Sequence, residues 1–533
     1  MFVDHPLIKK ESIEQREYQT NLARSSLQGS TLIVLPTGMG KTVIAVLVIA
    51  EVLRQKGGKA LFLAPTKPLV EQHACFLADH IEGKKVAVMT GEVSPEEREL
   101  LWIENDIVAS TPQVVANDLR SERVSLRDVR IIVFDEAHRS VGNYAYVEVA
   151  QEYAAYGGLV LGMTASPGSD AARIKEVCKN LGIERVEIKS ESDPDVARYV
   201  HEIEMDFVEV ELPDQLKRVV FVLKTLFDSY VRELTNLGLL EKGRPVTTKL
   251  LLEVGSLVSA KLRSGERNRT LFHALSVQAM AVKVEHALEL GETQGVTALV
   301  AYLDRMEREA ASEDGSKASR TIVKSHEFVR ARELLEGVKM EHPKLSRVMT
   351  TVARQVAEKP DSRIIVFTHY RDTCDLVASK LMGIEGARVA KLVGQADRGE
   401  EKGLRQKEQI GVLDRFREGG FNIIVATSVG EEGLDVASTD LVVFYEPVPS
   451  EIRSIQRRGR TGRRRAGRVV VLVTKGTRDE AYLYSSINKE AAMRRRLTRL
   501  QAQLNPNGGA GPEAEEPKSS NETQKGQSRL SDF

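Results

Sequence analysis

Over the first 200 residues, short apolar runs alternate with amphipathic stretches. The runs at 31–35, 60–63, 85–89, 106–109, 130–134 and 159–163 are continuous rather than alternating, the mark of strands buried on both faces. Each is followed by a turn signal or a helix-like segment, so the pattern predicts a parallel sheet with helices on both sides. From about 203 the pattern changes. Proline is absent between Pro245 and Pro343, and apolar residues recur at helical spacing, as in 216–226 and 277–288. Several long helices are expected there, with a break in the polar stretch 311–319. From 341 the strand–helix alternation returns, with strands expected at 363–367, 388–392, 422–426, 441–445 and 468–473. Residues 505–533 are rich in Pro, Gly, Ser, Glu and Gln, and bury too little apolar surface to offset the entropy of ordering. The chain therefore reads as α/β, with two parallel-sheet domains (1–202 and 341–504), an all-helical insertion domain (203–340) and a disordered tail (505–533).

The length of 533 residues fits this division into about three domains. Lys+Arg and Asp+Glu are both 76, so total charge says nothing about a polyanionic partner. Its distribution does: residues 451–500 hold 15 Lys+Arg against 4 Asp+Glu, which predicts one face built for polyanions. The apolar stretch 43–53 is broken by Glu51 and is too short to span a bilayer, and the first residues lack the pattern of a signal peptide. A soluble cytoplasmic protein without a membrane partner is expected. Cys75, Cys178 and Cys374 stand singly, without the spacing of a zinc site, and are expected as buried reduced thiols.

The strongest local signal is Pro36-Thr37-Gly38-Met39-Gly40-Lys41-Thr42, between a predicted strand and a predicted helix. Its glycines let backbone N–H groups approach phosphate oxygens. Lys41 would reach the β- and γ-phosphates of ATP, and Thr42 would bind Mg²⁺. The full GxxxxGK[ST] form has a glycine where this chain has Leu35. Downstream, the apolar run 131–134 ends in Asp135-Glu136-Ala137-His138. Paired carboxylates at a strand end suit metal-assisted hydrolysis, with Asp135 holding Mg²⁺ through water and Glu136 polarising the attacking water.

With these two motifs the chain resembles superfamily 2 helicases and translocases over about 1–200 and 341–495. The other motifs follow in the superfamily's order. Arg16, Tyr18 and Gln19 precede the phosphate loop, where the resemblance implies that Gln19 reads adenine. Pro65-Thr66-Lys67, Thr90-Gly91, Thr111-Pro112-Gln113 and Thr164-Ala165-Ser166 lie in the first half. Val366-Phe367-Thr368, the stretch from Ala426 to Asp435, and the stretch from Gln456 to Arg463 lie in the second. The resemblance implies two RecA-like motor domains with ATP bound between them. Gly433 and Asp435 would contact the nucleotide from the second domain, and Gln456 would position the attacking water. Arg460 and Arg463 would stabilise charge developing on the γ-phosphoryl group, and their i, i+3 spacing places both on one helix face. Thr66, Lys67, Thr90, Thr111, Thr368 and Thr427 would contact the sugar-phosphate backbone of a nucleic-acid strand, which carries no sequence code.

A helical insertion between motor domains occurs in Dicer-type and innate-immune RNA helicases. It also occurs in the archaeal Hef family and the related Fanconi-anaemia M-type translocases. The wording around the motifs, such as Ala64-Pro65-Thr66-Lys67-Pro68-Leu69-Val70 and Phe367-Thr368-His369-Tyr370-Arg371, is most similar to Hef. That resemblance implies an ATP-dependent DNA helicase or translocase acting on forked or branched DNA in fork repair and restart, associated with the nucleoid. An RNA-dependent ATPase or RNA helicase shares the motor and is the competing reading. Within the insertion, Lys261, Arg263, Arg267 and Arg269 form a candidate backbone-gripping cluster. No segment matches the metal-dependent nuclease pattern that many Hef proteins carry, so no strand cleavage is expected, and any nuclease partner would be separate. The chain ends Gln527-Ser528-Arg529-Leu530-Ser531-Asp532-Phe533. Gln527, Leu530 and Phe533 resemble the peptide motif that docks on replication sliding clamps, with the aliphatic and aromatic side chains sharing one pocket.

Overall fold

The computed structural model describes residues 1–504 apart from 169, 192, 200–202, 266–267, 339, 395–404, 428–438 and 449–466. The first sheet comprises β1 (Thr31–Val34), β2 (Lys59–Leu63), β3 (Val86–Met89), β4 (Ile107–Ser110), β5 (Val129–Phe134), β6 (Leu159–Thr164) and β7 (Arg185–Ile188). Its spatial order is β3-β4-β2-β5-β6-β1-β7, and every pairing is parallel. The continuous apolar runs are explained by burial on two faces. Ile33, Phe62, Ile131 and Val133 enter one core, while their neighbours Leu32, Leu61, Ile132 and Phe134 enter another on the opposite side.

The second sheet holds β8 (Ile203–Val210), β9 (Ile364–Phe367), β10 (Val389–Leu392), β11 (Ile423–Ala426), β12 (Leu441–Phe444) and β13 (Gly467–Thr474). Its order is β10-β11-β9-β12-β13-β8, again all parallel. Here too alternate residues diverge, Ile364 and Val366 to one core and Ile365 and Phe367 to the other. β8 corrects the boundary expected at 203: this segment is an edge strand of the second motor domain, paired along its whole length with β13. Its sequence Ile-Glu-Met-Asp-Phe-Val-Glu-Val is polar at several positions because an edge strand keeps solvent access, and Asp206 and Glu209 pair with Arg468 (2.6 Å) and Lys475 (3.2 Å).

The helical insertion begins at Asp214. Its helices Asp214–Asn236, Thr248–Arg263, Arg269–Thr293, Val296–Ala311, Lys317–Val323 and His326–Glu336 share one apolar core, and the break expected at 311–319 falls between the fourth and fifth. The last described helix, Arg478–Leu504, leaves the second sheet and returns to the first domain, where Met493 joins the core and Gln501 bonds Glu187 at 3.4 Å. Cys178 and Cys374 are buried as expected, but Cys75 is exposed, on the outer face of its helix.

The insertion is seated on the second motor domain by a buried polar junction. Lys344 Nζ lies 2.5 Å from Asp479 Oδ2 with both side chains fully buried, and it also donates to the Thr293 carbonyl (3.1 Å). Gln294 accepts from the Thr373 hydroxyl (2.7 Å) and donates to Glu446 (3.2 Å). Arg478 faces Glu285 (3.4 Å) and Glu292 (3.7 Å). Removing one partner of a buried pair strands the other charge. Lys344→Met is therefore expected to cost about 3–5 kcal/mol in denaturant unfolding. The double change with Asp479→Leu should recover most of the loss. A single variant as stable as wild type would show that the pair does not hold the junction.

His342, in the same junction, is held down to about 3 by burial and by the neighbouring Lys344 charge. An unfolded imidazole protonates near its ordinary value of about 6.5. Between those values the unfolded chain binds the extra proton, so stability rises with pH and is lost as pH falls from about 6.5 toward 3. Melting temperature should therefore drop between pH 6.5 and 5, above most carboxylate titration, and His342→Asn should flatten that slope. Equal slopes for the two proteins would exclude His342 as the cause.

Candidate functional site

β1 runs into the phosphate loop, and the helix Lys41–Lys56 follows it. Gly38 (φ 82°) and Gly40 (φ 76°) adopt the left-handed conformation that turns the loop's backbone inward. A Cβ on Gly40 would stand 2.3 Å from Gln19 Nε2, so a side chain there would displace that amide from the Met39 carbonyl. Lys41 Nζ donates to the Leu35 carbonyl at 3.1 Å, which holds it along the loop. Tyr18 and Gln19, on the helix Glu17–Ser26, both donate to the Met39 carbonyl, at 2.7 and 3.1 Å. Gln19 Oε1 is buried and has no hydrogen-bond partner, an open acceptor beside the loop that suits an adenine amino group.

β5 delivers Asp135 and Glu136 to the same place. The Tyr146 hydroxyl donates to the Asp135 carbonyl (2.7 Å) and fixes the end of the strand. His73, on the helix Lys67–His80, places Nε2 3.0 Å from Asp135 Oδ2 and Nδ1 3.5 Å from Thr42 Oγ1. Thr42 and Asp135, the two residues expected at Mg²⁺, are thus brought together across one imidazole. A hydroxyl and a carboxylate are the hard oxygen ligands that Mg²⁺ takes, so the residues fit the ion. Glu136 is left-handed (φ 48°, ψ 48°) and its carboxylate lies 3.3 Å from His138 Nδ1. That nitrogen is also 3.1 Å from Thr164 Oγ1, at the end of β6. Thr164 Oγ1 in turn accepts from the Ser166 amide (3.1 Å), and the Ser166 hydroxyl reaches Met493 Sδ at 2.9 Å. The motif after β6 is therefore tied to the returning C-terminal helix.

Apart from the helix that carries Tyr18 and Gln19, the described site segments follow the carboxyl ends of strands, and the strand order sorts those of the first sheet. β1, β5 and β6 are grouped on one side of the first sheet and carry the phosphate loop, Asp135-Glu136 and Thr164-Ala165-Ser166. β2, β4 and β3 are grouped on the other and end in Thr66-Lys67, Thr111 and Thr90. Thr66, Lys67 and Thr111 are partly exposed, with Lys67 paired to Glu71 (3.5 Å) and Glu92. Thr90, Thr368 and Thr427 are buried, the last two just beyond β9 and β11. Packing covers these three hydroxyls in this conformation, and that of Thr368 donates to the Tyr370 carbonyl at 3.4 Å. Gly433, Asp435, Gln456, Arg460, Arg463, Gln527, Leu530 and Phe533 lie outside the described residues. Sequence reasoning missed His73 and Met493. A histidine or methionine on an amphipathic helix carries no local mark of what it will face.

The family model "DEAD/DEAH box helicase" matches residues 16–174, and "Helicase conserved C-terminal domain" matches 344–465. Between them, "Putative ATP-dependent RNA helicase, helical bundle" matches 215–342. The fold and site define a superfamily 2 helicase. The crystal structure of the Pyrococcus furiosus Hef helicase domain aligns with a TM-score of 0.69 and 45% identity, over 90% of this chain and 100% of that one. The chain belongs to the Hef, Mph1 and Fanconi-anaemia M type within that superfamily. It is 34% identical to the ATP-dependent DNA helicase mph1 of Sclerotinia sclerotiorum, over 90% of this chain and 41% of that protein. The Fanconi anemia group M protein homolog of Mus musculus is 33% identical, over 89% of this chain and 25% of the mouse protein. A Methanocaldococcus jannaschii protein named "Putative ATP-dependent RNA helicase" is 39% identical over 95% of this chain. The chain spans 63% of that archaeal relative's length. Among the described residues no helix is long and apolar enough to cross a membrane.

Proposed function

We propose that this chain is an ATP-driven motor that tracks and separates DNA strands at forks and branched junctions. The observation that supports the reading is the sorting of segments along one sheet edge, with the phosphate loop, Asp135-Glu136 and Thr164-Ala165-Ser166 after β1, β5 and β6, and Thr66-Lys67, Thr90 and Thr111 after β2, β3 and β4. Residues of the two groups are joined through β2, β5 and the helix Lys67–His80, so a change at the phosphates reaches the strand-facing loops through rigid elements. ATP and Mg²⁺ are the cofactors this geometry suits: Lys41 and the loop amides hold phosphate, Thr42 and Asp135 hold the ion, and Glu136 takes the proton from the attacking water. When bound, Mg²⁺ would supply neutralisation of the charge on the phosphoryl groups, held by Thr42 and Asp135.

The choice of forked DNA rests on kinship with the Hef and Mph1 proteins and on the insertion. Lys261, Arg263 and Arg269 are exposed around the corner between two of its helices, and support it as a backbone-gripping surface. RNA is the second reading, favoured by the names of the helical-bundle model and the Methanocaldococcus jannaschii relative. ATPase stimulation and strand displacement measured together on forked DNA, single-stranded DNA and duplex RNA separate the two. Stronger stimulation by RNA than by forked DNA would replace the first reading with the second. Working at the nucleoid, the motor would act with a separate nuclease, and with a replication sliding clamp through Gln527, Leu530 and Phe533. Calorimetry against a sliding clamp tests the last point: equal affinity for the full chain and for a chain ending at Lys525 would exclude the tail as the docking site.

A further inference from the structure

His73 occupies a position that nothing in the phosphate loop or the Asp135-Glu136 motif requires. It is buried, its ring packs on Phe62 with centroids 4.5 Å apart, and both ring nitrogens face groups expected at the metal. One tautomer satisfies both contacts. Nε2–H donates to Asp135 Oδ2 at 3.0 Å, and Nδ1 stands 3.5 Å from Thr42 Oγ1, at the long end of hydrogen-bond range, where it can accept the hydroxyl proton. With its proton directed at His73, the Thr42 oxygen keeps its lone pairs free for a metal ion. With one oxygen held by Nε2–H, the Asp135 carboxylate is fixed in rotation and its other oxygen is left for the ion's water shell. Groups behind metal ligands set ligand orientation and affinity in this way.

We propose that His73 is a positioning residue for the metal–nucleotide site, orienting Thr42 and Asp135 at once from the helix Lys67–His80. This rests on the reading of Thr42 and Asp135 as the Mg²⁺ pair. The competing explanation is packing alone, since the ring also fills core space against Phe62. Two nearly isosteric replacements separate these. Gln offers an N–H donor and a carbonyl acceptor on one terminus, whereas Met fills similar space with neither.

The experiment titrates Mg²⁺ into the full chain with a fluorescent, non-hydrolysable ATP analogue, reading bound nucleotide without turnover, after thermal melting has shown each variant folded. His73→Met should raise the Mg²⁺ concentration for half-saturation about 10–100-fold, the range for groups that orient metal ligands. Nucleotide binding in EDTA should not change, and His73→Gln should stay within a few-fold of wild type. If His73→Met does not fold, His73→Leu takes its place in the same comparison. A wild-type Mg²⁺ titration in the apolar variant overturns the proposal. So does an equal shift in the Gln and apolar variants, which would assign the effect to packing. Nucleotide binding by the wild-type chain that is indifferent to Mg²⁺ would instead overturn the metal reading itself, a result distinct from either.

Discussion

Replacing Glu136 by Gln is expected to leave ATP binding intact and to lower turnover by about 10²–10⁴-fold, the range for loss of a general base. The backbone at Glu136 occupies left-handed space (φ 48°), which costs a residue with a Cβ about 1–2 kcal/mol. Such strain persists where surrounding structure enforces it, here β5 on one side and the short turn Ala137–Arg139 on the other. Burial works to raise the carboxyl. The His138 imidazole 3.3 Å away, with the Lys41 and Arg139 charges nearby, outweighs it and holds the group well below the ordinary carboxylate range. A carboxyl held below its ordinary range is ionised near neutral pH, so turnover should show no acid limb from Glu136 between pH 5 and 7. Gln keeps the size and loses the proton-accepting charge. Single-turnover hydrolysis alongside filter binding of ATP measures both effects, and hydrolysis at the wild-type rate would remove Glu136 from the role of base.

Arg460→Ala and Arg463→Ala are expected to lower turnover by about 10³–10⁵-fold, the range for arginine fingers, with little change in nucleotide affinity. The phosphate loop and the carboxylate pair belong to the first sheet, where Lys41 is the cation carried by the phosphate loop itself. Charge that develops on the equatorial oxygens of the γ-phosphoryl group needs a further donor. The connection between β12 and β13 contains both arginines and leaves the carboxyl edge of the second sheet, the edge on which Thr368 and Thr427 also lie. A donor supplied from the second domain acts only when the domains close, which makes hydrolysis report closure. The contrast with Lys41→Ala is informative, since that change should weaken binding as well as turnover. Turnover that is unchanged at saturating DNA, with only strand affinity reduced, would make the two arginines backbone contacts instead.

The parallel strands were legible because burial on two faces writes itself as an unbroken apolar run. The runs at 31–35, 130–134 and 441–445 coincide with β1, β5 and β12. The phosphate loop and Asp135-Glu136 were legible because their chemistry needs fixed residue types at fixed spacing, joined to a strand end that the same runs reveal. β7 and β8 were not read as strands. β8 mixes polar and apolar positions as an edge strand does, and its partner β13 lies in the last third of the chain, so nothing local announces the pairing. The Lys344–Asp479 pair, the return of Met493 to Ser166, and His73 between Thr42 and Asp135 each join segments remote in sequence. Periodicity determines which face of a helix is apolar. It does not determine what that face meets, because that depends on long-range packing of elements whose local patterns are alike. The burial of Thr90, Thr368 and Thr427 has the same origin: a threonine after a strand reads as a loop hydroxyl until the neighbouring elements close over it.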